Sequence, residues 1–368
     1  MIKKIKKLFR NIVLQFLIVL FKLIYGKVEK ITSVRNEKEI NIKKVNFQDN
    51  ISYEIYSIKN GRLYTDKFLN ISPIINNKLI DEASIQIIEN NLGDANKNIV
   101  LNTGTPKIKK NINGSVISLL NGASGIDNYW HWIFEVLPRI EIARKVFKNE
   151  EIDFFLLPDL KKKFQIETLD ALNIPVEKRI TSITHRHIQA KKLIISTHPY
   201  IFNKDAPEAI QKLPIWISKF YKNFFINKST KDENFPKKIF IDRKDSKYNN
   251  VRAISNSEEI KDFLKKKNYS LINLSDFSFT DQIKLFNNAH QIIGLHGAGF
   301  ANLMFCESET KVLELKSVKS SHVIENLAKT NNLKYDSING SLQENTQRIQ
   351  DGIIKISLDE IVHYLENN

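Results

Sequence analysis

The chain has 368 residues, of which 42% are hydrophobic and 26% charged, with a formal net charge of +15. That length exceeds what one hydrophobic core usually serves, so two domains are expected, and the composition excludes a disordered chain. A single cysteine, Cys306, excludes a disulfide framework and a four-thiolate metal site, and it suits a reducing compartment.

The charge is unevenly placed. Lys3, Lys4, Lys6, Lys7, Arg10, Lys22, Lys27 and Lys30 face only Glu29 within the first thirty residues. Ile2 to Tyr25 reads as one helix in which Ile2, Ile5, Phe9, Ile12, Phe16 and Val19 recur at helical spacing beside the lysines. The uncharged stretch Asn11 to Phe21 is short for a span of about 20 residues, and Lys22 interrupts it. Residues 1–27 are therefore expected to lie on an anionic membrane surface. Packing of this helix on the protein itself and a true signal anchor are the alternatives. No RNA-binding aromatic signature, zinc-finger spacing or basic zipper is present, which argues against nucleic acid as a partner.

Residues 31–125 show short apolar runs between Asn/Gly turns; Ile99-Val100-Leu101 and Val116 to Leu120 are expected strands. Asp127 is the expected N-cap of a helix carrying Trp130 and His131, and Pro138 either kinks it or begins a second helix. Asp153 to Leu157 and Lys192 to Ser196 are further strands flanking a helix from Phe164 to Leu172. The turn-rich stretch Thr197 to Pro207 is an expected interdomain connection. A helix with Ile210, Leu213, Ile217 and Phe220 on one side follows it, with Pro214 as a kink. Beyond it, strands near 238–241, 270–274, 291–294 and 312–315 alternate with helices near 257–267, 280–288 and 300–305. Such alternation implies a parallel, doubly wound α/β sheet with ligands at the carboxyl ends of its strands.

Four groups of residues can carry chemistry. The strand ending in Gly294-Leu295-His296-Gly297-Ala298-Gly299 runs into a helix, so close backbone approach, free amides and a positive helix end favour phosphate there. A small-residue turn that merely packs helix on sheet is the competing explanation. Arg243 follows the strand at 239–241, with Lys247 and Arg252 as nearby cations; a guanidinium at that edge suits a diphosphate. Glu314 at the end of the next strand can accept bonds from ribose hydroxyls, or be an ordinary strand-end charge. His131 and Glu135 share one helix face among apolar neighbours, a setting expected to raise the carboxyl pKa toward that of a general base; a satisfied buried His–Glu bond is the alternative. No Asp-x-Asp triad for a divalent cation occurs in the chain.

In combination, the segments Asn128-Tyr129-Trp130-His131-Trp132-Ile133-Phe134-Glu135-Val136-Leu137-Pro138-Arg139, Ile241-Asp242-Arg243 with Arg252 and Asn256, Gly294 to Asn302 and Val312 to Leu315 resemble glycosyltransferase family 61. The family includes bacterial capsular-polysaccharide proteins and eukaryotic enzymes adding xylose or N-acetylglucosamine. The resemblance covers roughly residues 115 to 330. It implies an α/β, GT-B-like architecture of two Rossmann-like domains facing a cleft, here an acceptor-side domain at 28–205 and a donor-binding domain at 206–368.

It also implies an inverting transferase without an obligatory metal or other cofactor. The donor would be a nucleotide sugar, UDP-linked by preference, and the acceptor a glycan or a lipid-linked glycan. Residue by residue, Glu135 matches the acceptor base and His131 its neighbour. Arg243 and His296 to Gly299 match the diphosphate site and Glu314 the ribose acid; Lys247 is expected beside the diphosphate as a nearby cation, with Asn128, Arg252 and Asn302 in support. Cytoplasmic placement on the inner face of the plasma membrane follows from the basic helix; a homo-oligomer remains open. A non-catalytic nucleotide-sugar or glycan-binding subunit, and a phosphate- or pyruvate-transferring capsule enzyme, are the competing functions.

Overall fold

The structure, a computed structural model, describes residues 2–66, 69–89, 91–120, 122, 127–201, 205–226, 232, 234–243, 252–344 and 352–367. The chain forms two compact units, residues 1–209 and 210–368.

The first helix spans Ile2–Tyr25. Its last turns dock on the first unit: Ile18 and Phe21 are buried, Lys22 Nζ donates to the carbonyl of Asn102 at 2.7 Å, and the Tyr25 hydroxyl accepts from the Lys109 amide at 3.0 Å. Residues 4–16 are exposed on every side, Phe9 and Phe16 included. Among the described residues, packing on the protein itself is thus confined to the carboxyl end of the helix.

The strands of the first unit are β1 (Lys30–Thr32), β2 (Ile40–Asn46), β3 (Ser52–Lys59), β4 (Arg62–Thr65), β5 (Asn70–Ile75), β6 (Lys78–Ile80), β7 (Ile85–Ile88), β8 (Asn91–Leu92), β9 (Lys110–Ser118), β10 (Phe154–Leu157), β11 (Arg179–Thr181) and β12 (His187–Ser196). β12 joins two halves of one sheet. It runs parallel to β9, beyond which β10 and β11 continue in parallel, and antiparallel to β3 and β4 on its other side. The parallel half alternates with helices at 129–144 and Lys163–Ala171. The antiparallel half turns at Asn60, Asn76 and Asn77, each at positive φ, a conformation asparagine tolerates better than other side chains. The expected strand at Ile99–Leu101 is instead the start of a short helix, Ile99–Thr103. Asn98 caps it by accepting from the Val100 amide, and Gly104 ends it at φ +62°.

In the second unit, β13 (Lys238–Asp242), β14 (Arg252–Ile254), β15 (Ser270–Asn273), β16 (Gln291–Leu295), β17 (Lys311–Ser317), β18 (Lys334–Glu344) and β19 (Gly352–Lys355) form a sheet of order β14-β19-β18-β17-β16-β13-β15. β15, β13, β16, β17 and β18 are parallel, while β19 is antiparallel to β18 and carries β14 alongside it. β16 and β17 are buried along nearly their whole length because both faces are covered. The helix before β16, Phe279–Asn288, starts where Ser278 Oγ accepts from the Asp281 amide at 3.1 Å. Pro214 kinks nothing: it stands at the N-cap of the helix Ile215–Phe225, where its missing N–H is no loss.

After β13 the chain places β14 at the far edge of the sheet, returns to form β15 on one side of β13, then crosses to β16 on the other side and continues outward through β17 and β18. The carboxyl ends of β13 and β16 therefore flank a topological switch point, where open parallel sheets bind ligands.

Candidate active site

The first cluster is built on residues 128–144. The cap is Asn128 rather than Asp127: its side chain accepts from the Trp130 amide at 2.9 Å. A π turn occupies Trp132–Val136, closed by the Leu137 amide on the Trp132 carbonyl at 3.1 Å, five residues back. Such bulges recur at functional sites because they re-aim the side chains they carry. Pro138 then opens the following helix, Pro138–Arg144. Trp132, Ile133, Phe134, Val136 and Leu137 have no exposed surface, and Trp132 Nε1 donates to Thr168 Oγ1 at 2.8 Å.

Glu135 is carried into this core, 4% exposed. Its Oε1 meets both His131 Nδ1 and the Tyr200 hydroxyl, and its Oε2 stands 3.9 Å from His198 Nε2. His198 Nδ1 accepts from the amides of Tyr200 and Ile201, at 3.3 and 3.0 Å. The neutral ring consequently carries its hydrogen on Nε2, toward the carboxylate. Tyr53 holds this loop through a 2.7 Å bond to the Pro199 carbonyl. Arg139, 1% exposed, donates to the Ser196 carbonyl at 3.0 Å.

The electrostatics overturn one expectation. Burial pushes the Glu135 carboxyl up, but the charge and hydrogen bond of His131, with His198 behind, hold it well below the usual carboxylate range. Apolar neighbours alone had implied the opposite. Burial also takes His198 down to about 4 and Arg139 down to about 10, and it raises the Tyr200 hydroxyl well above its ordinary value.

The second cluster lies at the switch point. Arg243 follows β13 and His296 follows β16, whose residues Ile241 and Gly294 are in register. Arg243 Nη1 donates to the His296 carbonyl at 2.5 Å. A Cβ on residue 297 would lie 1.5 Å from that nitrogen, so glycine is required there by close approach, the backbone itself being extended. A 3₁₀ helix, Ala298–Phe305, begins directly afterwards, two residues earlier than expected. The amides of Ala298 and Gly299 at its start have no carbonyl to bond within the helix, while the Phe300 amide bonds the Gly297 carbonyl at 3.1 Å.

His296 Nδ1 bonds Glu314 Oε1, and the Tyr335 hydroxyl bonds Oε2, with Lys316 Nζ 3.7 Å away. Among the described residues, no group of three or more His, Cys, Asp or Glu side chains is arranged to hold a metal ion.

Residues 129–313 match the family model for Glycosyltransferase 61. The chain belongs to the glycosyltransferase 61 family. It is accordingly a glycosyltransferase, an enzyme that moves a sugar from a nucleotide-sugar donor to a glycan acceptor. No curated protein matches it. The family match begins at Tyr129 and ends at Leu313, taking in His131, Glu135, Arg243 and the 296–299 loop.

For this glycosyltransferase the remaining expected site residues fall as follows. Glu314 is not at a strand end: it is fourth in a seven-residue strand, with no exposed surface. Arg252 opens β14, and four strands separate it from β13, so it is no neighbour of Arg243 in the sheet. Asn302 is fully buried and donates to Gln282 Oε1 at 2.9 Å, tying the 3₁₀ helix to Phe279–Asn288. Lys247 lies outside the described residues. Sequence reasoning missed Tyr200, His198, Tyr335 and Lys316. The first two stand in a stretch read as linker, where the only signal was two ring-bearing residues flanking Pro199.

Proposed function

We propose that this glycosyltransferase moves a sugar with inversion from a UDP-linked donor to a glycan or lipid-linked acceptor in surface polysaccharide synthesis, without an obligatory metal. The observation carrying the donor assignment is the pairing of Arg243 with the His296–Gly299 loop at the switch point of the second unit. A guanidinium, first-turn amides and a glycine with no room for a side chain form a cradle suited to a diphosphate. Those cations and amides would stabilise the leaving nucleoside diphosphate where other transferases place a divalent ion.

The reaction is a single displacement. The acceptor oxygen bonds the anomeric carbon, the bond from that carbon to phosphate breaks with its electron pair leaving on the nucleotide, and a base removes the acceptor proton. The His131–Glu135 pair in the first unit supplies the base. A GT-B arrangement would bring the two clusters to one cleft. Glu314, buried and shared by His296 and Tyr335, is assigned to fixing His296 rather than to touching ribose.

The exposed, basic and apolar residues 4–16 suit the inner face of an anionic membrane, and the helix containing them is long and apolar enough to cross one. Incubating the full chain with a panel of UDP-sugars tests the reaction. UDP release, with the product anomer opposite to the donor's by NMR, supports it. Retained anomeric configuration contradicts inversion, and UDP release abolished by a chelator contradicts metal independence.

A further inference from the structure

We infer that His131, not Glu135, takes the proton from the acceptor, and that Glu135, Tyr200 and His198 are positioning residues acting through it. The inference rests on the transferase reading above but concerns which atom in the first unit does the work.

Three observations support it. The Glu135 side chain is 6% exposed, against 21% for that of His131, so an acceptor hydroxyl meets the imidazole first. Glu135 Oε1 is shared by two donors, the His131 ring and the Tyr200 hydroxyl, and its Oε2 is walled by His198, whose side chain is 8% exposed. His131 commits Nδ1 to the carboxylate, so the neutral ring keeps its hydrogen there and presents a lone pair at Nε2. Nε2 has no hydrogen-bond partner among the described residues.

A carboxylate held well below its usual range is a weak proton acceptor but a durable counter-charge. Tyr200, held protonated by burial, donates to it, and His198 stays neutral. In the reaction the acceptor O–H bond breaks and an N–H bond forms at His131 Nε2. The imidazolium charge is balanced by Glu135, and the proton later passes to solvent. The same logic, a buried acid fixing the tautomer of a catalytic histidine, operates in hydrolytic triads.

The test uses the full-length protein and UDP release from UDP-N-acetylglucosamine, UDP-xylose or another UDP-sugar that the wild type turns over, with water as acceptor. His131→Ala is expected to lose about 10³-fold in kcat, with donor KM unchanged and partial recovery on adding imidazole. Glu135→Gln, which removes the counter-charge and reverses the ring tautomer, is expected to lose about 10³- to 10⁴-fold, and the double variant to fall no further than the weaker of the two single variants. An unchanged near-ultraviolet circular dichroism spectrum in each variant reports an intact first unit. Additive effects in the double variant, or rescue of Glu135→Ala by formate with none of His131→Ala by imidazole, would each return the base to Glu135. If the wild type neither binds UDP nor releases it, the nucleotide-sugar reading itself fails, a result distinct from any of these.

Discussion

Arg243 and His296 are joined by a 2.5 Å bond from guanidinium to backbone carbonyl, and that bond fills the space a side chain at position 297 would need. The glycine loop and the arginine are thereby one feature. Gly297→Ala is expected to displace Arg243 and weaken UDP binding by about 10-fold or more, the scale of one charge-assisted hydrogen bond. Combined with Arg243→Ala it should add little. Calorimetric titration of the single and double variants checks this; fully additive losses would mean that residue 297 acts independently of Arg243.

Glu314 separates two roles that the sequence alone left joined. As a buried carboxylate shared by His296, Tyr335 and Lys316, it should matter for stability. Glu314→Ala is expected to destabilise the second unit by about 3 kcal/mol, since removing one partner leaves buried groups uncompensated. Tyr335→Phe should cost about 1 kcal/mol. Denaturant titration measures both. The preference for UDP over 2′-deoxy-UDP should survive in whichever Glu314 variant folds; loss of that preference would restore a ribose contact.

Acid should weaken the first unit through its histidines. His198 and His187 are each depressed from 6.5 to about 4, chiefly by burial, so the folded state resists charging them. A histidine with a depressed folded value contributes stability that is complete above about pH 6.5 and is lost as pH falls toward 4. Each should remove roughly 1 kcal/mol between pH 7 and 5.5. His198→Gln should flatten the fall in Tm over that window; an unchanged slope would show that His198 is not held neutral.

The N-terminal helix should bind anionic vesicles. Deleting residues 2–16 is expected to abolish co-sedimentation with phosphatidylglycerol-containing liposomes while leaving UDP release intact, because residues 4–16 are exposed throughout. Release of the full chain by high salt indicates a helix lying on the surface, and retention through alkaline carbonate a helix spanning the bilayer.

Much of the second unit was legible because its information is local. An apolar strand running into Gly297-Ala298-Gly299 marks a backbone that must turn and come close, and alternation from 238 to 315 marks parallel strands. The strands at 334–344 and 352–355 and the helix Val323–Thr330 went unread. Ile99-Val100-Leu101 was misread because β-branched residues favour strands, whereas the deciding group was the capping side chain of Asn98. Tyr200 and His198 were out of reach for a different reason. They meet Glu135 from more than sixty positions away, and nothing in a turn-rich segment announces where it folds back. The direction of the Glu135 shift was missed for another reason: its apolar neighbours were given more weight than His131 four residues before it, whose charge and hydrogen bond are the main lowering influence, and His198 was not visible.

The most direct measurement is calorimetric titration of UDP into the wild-type chain and the Arg243→Ala variant under identical salt. Micromolar-scale binding by the wild type and a loss of about 10-fold or more in the variant is the expected result. Equal affinity in the two proteins, or no binding by a folded wild type, would contradict a donor diphosphate site at Arg243 and the His296–Gly299 loop.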